Sequence, residues 1–557
     1  MDEVNEGTSV DVMAEGYIQR RGPQLAMAAI TVMAATLLSR VFGLVREQVM
    51  AGFFGAQMQI DAYRVAFILP NLFRMLLADA AIGAAFIPVF TSYLTKGERE
   101  EAWRAGSTII NLMVLGLCFF LGLGMIFAPQ FIRVLAPGFA EKVQTFQLTL
   151  LLTRIMFPAV LFMALSGLVM GILNSYDHFA APAISPVLWN TTIIVSIVLL
   201  ASRLGVVSLA LGITVGSLVQ FVFQLPFLKG KGARYSFILD WRHPGVKQVG
   251  LLLLPVMLTL GTTDINTIVD TRFASTLVTG SVATLGYAIR LWHLPLGLFA
   301  IAISTVLFPT FSRQVAREDI RGFKEALSAG IRSIFLIMIP AAVGLMVLSV
   351  PIIRLIFEHG KFLARDTLLT ASPLFYYSVG LMAAGGLHLV NRAFYSLKDS
   401  VTPMLVAGLS IVVNYFGDWF LMIYLPVFAR LIGISAVFPW LGYAHGGIAL
   451  STSMVCFFNF LILLEILRRK LKGVEGRRML VSLAKISLAS VALGFVAFYG
   501  WKLTALALDS SVVGQILSLG VGISLGLLVY LGAALLFRIE EIQTVQELVL
   551  VKLREKR

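Results

Sequence analysis

Charge is what this chain has least of. Only 13% of its 557 residues are Asp, Glu, Lys or Arg, about half the share of a soluble globular domain. Cysteine is nearly absent: Cys118 and Cys456 stand far apart in apolar stretches, which excludes a disulfide framework and a thiolate metal site and leaves plain packing. The six histidines show no ligand spacing. There is no HExxH, P-loop or DxD cluster on a loop, so the chain carries no familiar metallohydrolase or nucleotide-burning signature and does not read as an enzyme. Short alternating segments of the membrane β-barrel type are also missing.

What fills the space is apolar. Hydrophobic residues make up 58% of the chain and mean hydropathy is +0.88. The apolar runs are about 20 residues long, the length that crosses ~30 Å of hydrocarbon as a helix. The expected fold is an all-α polytopic membrane protein of about fourteen transmembrane helices. The acidic, polar residues 1–24 read as a cytosolic tail, since a signal peptide needs a basic start joined to an apolar core. The charge of +14 is uneven. Loops on one side of the expected spans, with both termini, hold 26 Lys and Arg; the opposite loops hold 8. The positive-inside rule then puts both termini in the cytoplasm and explains the basic balance without nucleic acid. Residues 538–557 alternate charged and apolar side chains, the pattern of an amphipathic helix on the inner leaflet.

An offset of 221 residues aligns Pro88 with Pro309, Phe90 with Phe311, Ile132-Arg133 with Ile353-Arg354, Ser175 with Ser396 and Pro182 with Pro403. The repeat spans an even number of helices, so both copies share one orientation, a transporter architecture whose site lies between the halves. The expected organisation is an N-lobe over 25–245, a C-lobe over 246–470, and two further spans with a cytosolic tail over 471–557.

The few charges within the spans are therefore informative, because each costs at least ~2.5–3.5 kcal/mol at bilayer depth. The first two spans carry Arg40, Arg46, Glu47, Asp61, Arg64, Arg74 and Asp79. Arg46–Glu47 and Asp61–Arg64 read equally well as internal ion pairs that fix packing. Arg40 and Arg74 have no acid three or four residues away and favour an anionic ligand. The second half adds Asp264, Asn266, Asp270, Arg272 and Arg290, and Asp418 is an acid inside a later span. Asp264, Asp270 and Asp418 are candidates for coupling to a cation or proton. Glu358, His359, Gly360 and Lys361 read as a solvated outer loop. Asn391, Arg392, Lys398 and Asp399, like Asn174, Ser175, Asp177 and His178, read as helix ends.

The runs SRVFGLVREQVMAGFFGA (39–56), DAYRVAFILPNLFRMLLADAAIGAAFIPVF (61–90), YAIRLWHLPLGLFAIAISTVLFP (287–309), IFEHGKF (356–362) and NRAFYSLKDSVTP (391–403) resemble the MurJ/MviN family of lipid II flippases, within the multidrug/oligosaccharidyl-lipid/polysaccharide exporter superfamily. The resemblance runs from about residue 25 past 470. It implies two six-helix lobes plus two C-terminal helices, a central cavity, and transfer of undecaprenyl-diphosphate-linked glycopeptide from the inner to the outer leaflet of the bacterial inner membrane. It implies no cofactor, a drive from membrane potential, an unspecified coupling ion, and contact with membrane lipids and the cell-wall synthesis machinery. On matching positions it assigns substrate binding to Arg40, Arg46, Arg74 and Arg290, with polar support from Ser39, Asp61 and Asp79. The family's acid before the last arginine is replaced here by Ile289. Rival expectations are an exporter of the same superfamily with another lipid-linked oligosaccharide or a drug, and a membrane glycan polymerase with Glu358 as its acid.

Overall fold

The computed structural model describes residues 31–75, 86–231, 234–509 and 511–542; for 254–264 and 434 it describes backbone alone. Among these residues there is no strand. Backbone groups in hydrocarbon must be satisfied within their own segment, and a helix does so. In chain order the helices are α1 (31–54), α2 (Met58–Phe73), α3 (Ile87–Thr95), α4 (Arg99–Leu135), α5 (Pro137–Ala140), α6 (Val143–Ser175), α7 (Ala180–Leu204), α8 (Val207–Gln224), α9 (Pro244–Ala274), α10 (Ser281–Pro295), α11 (Ile301–Ala316), α12 (Ile320–Val347), α13 (Ser349–Phe357), α14 (Ala364–Val379), α15 (Leu381–Ser396), α16 (Val401–Leu431), α17 (Ile434–Val437), α18 (Ala444–Leu471), α19 (Gly476–Ala507) and α20 (Val512–Leu536). A π-helical turn, Leu296–Ala300, fuses α10 to α11.

Ten of the described helices are long and apolar enough to span, and the bent pair α14–α15 makes eleven. The remaining three of the fourteen expected spans fall on α1, on α2–α3 and on α9. Two of these adjoin residues outside the described set, and α9 includes backbone-only positions. The N-terminal tail, Asp79 and the C-terminal residues beyond 542 also lie outside it.

The 221-residue repeat is carried by the elements themselves. α4 and α12 start 221 apart, as do α6 and α14, and α7 and α16; α6 and α15 end 221 apart. The copies differ where the second is broken. α4 runs unbroken, whereas its counterpart is split into α12 and α13; α6 is continuous, whereas its counterpart bends by 46° between α14 and α15. The α14–α15 bend has a local cause. Gly380 lets α18 approach so closely that a Cβ there would lie 2.7 Å from the Ser453 Cα. Ser453 Oγ accepts the Gly380 N–H (3.0 Å) and donates to the Tyr376 carbonyl (2.6 Å). One hydroxyl thus serves both a donor and an acceptor released by the break.

The chain forms two compact units that do not coincide with the sequence halves. Unit 1 holds residues up to 50, 66–131 and 148–261; unit 2 holds 51–65, 132–147 and 262–557. In unit 1, Val169, Leu173 and Ala181 pack with Phe221, Phe223 and Leu228. In unit 2, Leu348 packs with Ala489, Leu493, Ala497, Leu519 and Tyr530, seating α19 and α20 on α12–α13. Gly522 and Gly526 bring α20 against α19, where a Cβ would meet the Ala497 carbonyl and Ala497 Cβ at 2.8 and 3.0 Å. Small residues four apart give this close approach where no hydrophobic drive exists between helices. Cys118, expected to be packed, is exposed on α4.

Candidate functional site

In unit 1 the arginines of α1 divide into two kinds. Arg46 is buried, donates to Glu47 Oε1 at 2.8 Å and lies over the Trp189 ring of α7 at 5.1 Å. The pair is therefore an internal ion pair, with a cation–π contact that ties α1 to α7. Arg40, six residues earlier, is exposed, and the half-buried Ser39 beside it offers its carbonyl to Asn190 Nδ2 at 3.5 Å. Arg74 directly follows α2, half-buried, with Nε and a terminal nitrogen 3.3 and 3.1 Å from Asn71 Oδ1. Asn71 is a neutral amide, so this contact does not cancel the Arg74 charge.

In unit 2, Arg290 is exposed on α10, in the turn before the π-helical segment. The start of α10 explains Asp61. Its two carboxylate oxygens accept the N–H groups of Gly280 (2.6 Å) and Ala283 (2.7 Å). These are the N-cap and third positions of α10, so Asp61 caps from a distant segment a helix terminus that has no cap of its own. Gly280 sits at φ +95°, and a Cβ there would lie 2.3 Å from the Ala56 carbonyl. Arg64 does not pair with Asp61 by contact; its guanidinium lies over Tyr287 at 4.7 Å, in space left by Gly286, whose Cβ would reach it at 2.3 Å.

The loop expected to be solvated has His359, Gly360 and Lys361 exposed, and its backbone docks on the same corner. The Lys361 N–H donates to the Gly52 carbonyl at 2.8 Å, Tyr287 Oη donates to the Gly55 carbonyl at 3.1 Å, and Cβ atoms at Gly55 or Gly360 would strike backbone carbonyls at 2.5 and 2.3 Å. Asp366 accepts from the Leu363 and Ala56 amides at 3.1 and 3.5 Å. Glu358 accepts from Thr367 Oγ1 at 2.5 Å and Arg354 Nε at 3.3 Å. The loop docks through its backbone and the Asp366 carboxylate while His359, Gly360 and Lys361 stay exposed, and Glu358 holds its own turn. Gly52 and Gly55 were not singled out by sequence reasoning, the AGFFGA run being their only signal, and Gly360 was read only as part of the outer loop.

A second polar centre lies inside unit 2. Asp270 of α9, Asn414 and Asp418 of α16, and Ser451 and Thr452 of α18 converge. Asn414 Nδ2 donates to Asp270 Oδ1 at 2.7 Å and reaches Asp418 Oδ2 at 3.4 Å; Thr452 Oγ1 donates to Asp270 Oδ2 at 3.3 Å. Asp418 is fully buried, and its Oδ1 meets no donor among the described residues. The repeat supplies a control: the positions 221 before Asn414 and Asp418 are Ile193 and Ile197, both fully buried. The architecture thus packs with isoleucine here, and a buried acid pair is not needed to build it. Two carboxylates and a hydroxyl offer hard oxygens, with the Asn414 amide donating its N–H groups to the acids, a set that suits a small cation or a shared proton. Asp264 lies on α9 at a backbone-only position. Among the described residues no cluster of three or more His, Cys, Asp or Glu could hold a metal.

Tandem copies of one helical repeat, apolar spans, exposed arginines on membrane helices and a buried acid pair in one copy define a polytopic membrane transporter. The comparisons agree. The family model for lipid II flippase MurJ matches residues 50–522. The probable lipid II flippase MurJ of Vibrio cholerae is 33% identical over 541 residues, covering 94% of this chain and 98% of the relative. The lipid II flippase MurJ of Burkholderia cenocepacia is 32% identical over 452 residues, 80% of this chain and 84% of the relative. A solved lipid II flippase MurJ in an inward closed conformation superposes with TM-score 0.74 at 28% identity, over 91% of this chain and 99% of that one. An inward-facing multidrug-resistance transporter of the MATE family shares the fold at 16% identity, with TM-score 0.59 over 79% and 99% of the two chains. The chain belongs to the lipid II flippase MurJ family.

Proposed function

We propose that this protein moves lipid II, an undecaprenyl-diphosphate-linked glycopeptide, from the inner to the outer leaflet of the bacterial cytoplasmic membrane by alternating access, with both termini in the cytoplasm. Transport rather than catalysis is the work assigned to it. The observation that carries the reading is the pair of exposed arginines, Arg40 and Arg290, on membrane helices of a chain in this family. The hard step in flipping is desolvating a diphosphate. Guanidinium groups replace its water with charge-assisted, often bidentate hydrogen bonds, while the prenyl tail stays in lipid. Arg40, Arg74 and Arg290 are assigned to the diphosphate. Arg46, engaged with Glu47 and Trp189, is assigned to holding α1 so that Arg40 is presented. Asp61 is assigned to the helix end before Arg290, not to direct contact; Ser39 and Asp79 keep only the polar supporting role that the family resemblance gives them.

Membrane potential supplies a drive. A charge of about −2 moving toward the positive outer side gains roughly 4–5 kcal/mol per 100 mV. Asp270 and Asp418, with Asn414 and Thr452, are proposed as the coupling-ion centre; the asymmetry with Ile193 and Ile197 supports this. Asp264 stays a weaker candidate. The cell-wall synthesis machinery is the expected partner, and nucleic acid is not.

The test is replacement of Arg40, Arg74 and Arg290 by Ala in cells depleted of the native protein, reading which leaflet holds the lipid-linked precursor. The expected result is cytoplasmic accumulation and lysis with normal membrane insertion, and partial loss with Lys, which lacks the fork. Normal outward transfer by all three Ala variants would falsify the diphosphate clamp. A cargo carried by the same clamp but lacking the peptide would show as transfer of an oligosaccharide-linked diphosphate lipid instead.

A further inference from the structure

The chain between α8 and α9 is strapped along α4 in unit 1. Residues 235–240 form an irregular segment, turned at Phe237 where the Ile238 N–H donates to the Ser236 carbonyl at 2.9 Å, with polar anchors in one stripe of α4 at positions 100, 101, 104, 107, 108 and 111, the three- and four-residue spacing of one helix face. Asn111 accepts from Tyr235 Oη at 2.6 Å and donates to the carbonyls of Ser236 (3.1 Å) and Ile238 (3.0 Å). Ser107 and Thr108 accept the N–H groups of Ser236 (3.2 Å) and Asp240 (3.4 Å). Arg104 pairs with Asp240 at 3.0 Å, and Glu101 meets His243 Nε2 at 2.8 Å.

The side chains this strap leaves outside are apolar. Ser236 and Asp240 are half-buried against α4, while Phe237, Leu239 and Trp241 are exposed at 77%, 47% and 68%, and Ile238 between them is exposed as well. A water-facing outer surface would carry the polar set outward. The depth is fixed by α4. It is 37 residues long, about 55 Å at 1.5 Å per residue, far more than the ~30 Å hydrocarbon needs. The strap ends its hold at Asn111, and the next polar residue of α4 is Gln130. The strap therefore sits where α4 enters hydrocarbon, at headgroup level, where Trp and other aromatics settle. Lys229, Lys231, Arg234, Arg242 and Lys247 flank the segment in sequence, and the acids at the strap are already paired, Asp240 with Arg104, Glu100 with Arg234 and Glu101 with His243.

We propose that this strap is a membrane-surface anchor: Phe237, Leu239 and Trp241 insert into the headgroup region of the inner leaflet, and the flanking lysines and arginines bind anionic lipid there. Each basic residue near an anionic surface adds attraction that fades within a Debye length. The anchor holds the connection between the two sequence halves at the level where a lipid-linked substrate presents its headgroup.

The test uses the full-length protein with Cys118→Ser and Cys456→Ser, carrying one new cysteine as Phe237→Cys, Leu239→Cys or Trp241→Cys, labelled with an environment-sensitive fluorophore. Each is placed in vesicles of phosphatidylethanolamine and phosphatidylglycerol. A Glu318→Cys label, in an exposed basic turn, is the water-facing control. Blue-shifted emission at all three sites, quenched by headgroup- or shallow-acyl nitroxide lipids and protected from iodide, is expected. Exchanging phosphatidylglycerol for phosphatidylcholine reduces the nitroxide quenching. Iodide quenching equal to that at residue 318 overturns the anchor. A blue shift without nitroxide quenching also overturns it, because the face is then covered by protein. Indifference to phosphatidylglycerol overturns the anionic-lipid half. Three independent sites, each checked by monodisperse gel filtration, guard against one variant that fails to fold.

Discussion

Removing the Asp61 carboxylate is the sharpest perturbation the fold offers. Two N–H groups at the start of α10 have this one side chain as acceptor, at 2.6 and 2.7 Å, in a buried setting. A hydrogen bond to a charged group contributes about 1.5–3 kcal/mol, and a buried donor left alone costs its full desolvation. Asp61→Ala is thus expected to destabilise the α10 terminus by about 3–6 kcal/mol, which at 1.4 kcal/mol per decade is about 10²- to 10⁴-fold in local opening. Asp61→Asn keeps one acceptor oxygen but turns an NH₂ toward the second N–H, so its loss falls between Ala and native. The assay is amide hydrogen exchange in the peptide spanning 276–288, with outward transfer of lipid II as the functional readout. Faster exchange there, unchanged exchange in α4, and loss of transfer are expected. Exchange at Gly280 and Ala283 within twofold of native in Asp61→Ala would show that the cap contributes nothing and refute the reasoning.

Arg332 is buried on α12 and its acids come from after the last span, Glu541 at 3.1 Å and Glu540 at 2.5 Å; Arg332→Ala or Glu541→Ala is expected to lower stability by about 3–5 kcal/mol, read by thermal unfolding in detergent, with Arg332→Met less damaging because it removes the charge and keeps volume. Asp399, in the turn before α16, has its carboxyl held down at about 2: burial pushes it up, but the Lys470 ammonium and the amide and hydroxyl of Thr402 outweigh that. A depressed carboxyl stabilises above its unfolded value of ~4 and loses that contribution as pH falls toward 2, so native protein is expected to melt above Asp399→Asn at pH 7, and the gap to close on acidification through that window. Asp270→Asn and Asp418→Asn are expected to abolish ion dependence of transport in vesicles; unchanged transport and ion response would remove this pair from the mechanism. Gly380→Ala is expected to cost about 1–3 kcal/mol by overpacking against Ser453 and to slow transport, whereas a variant as stable and active as native would show that the bend does not need the close approach.

What could be read in advance was what is local or periodic. Span lengths and the 221-residue register survive in the element starts at Arg99 and Ile320, Val143 and Ala364, Ala180 and Val401, because hydrophobic length and repeat spacing are properties of one chain segment at a time. Arg46–Glu47, left open between ligand and ion pair, is an ion pair, and no local pattern signalled that Trp189 would lie under the guanidinium. Asp61 could be seen as an intramembrane acid, but its partners are amides 219 and 222 residues later, and backbone donors leave no mark in sequence. The loop at 358–361 has the exposed tips its charge suggests, but it also docks through glycine backbone, which hydropathy does not register. The break at Gly380 was equally hidden, since Pro158 and Pro373 interrupt neither α6 nor α14, while a glycine facing Ser453 ends a helix.

The placement of residues 51–65 in unit 2 sets an order of events during synthesis. Asp61 leaves the ribosome 219 residues before Gly280, a delay of about 10–40 s at ~5–20 residues per second. Throughout that interval the junction of α1 and α2 is already inserted while its binding partners do not yet exist. The first half must therefore wait as a metastable intermediate, held by α1's own contacts with α7, until α10 and the turn at 359–366 arrive to complete it. A ribosome that stalls in this window leaves a membrane-inserted but unfinished chain, with the Asp61 acid and two close-packing glycines, Gly52 and Gly55, unmatched: a natural substrate for membrane quality control.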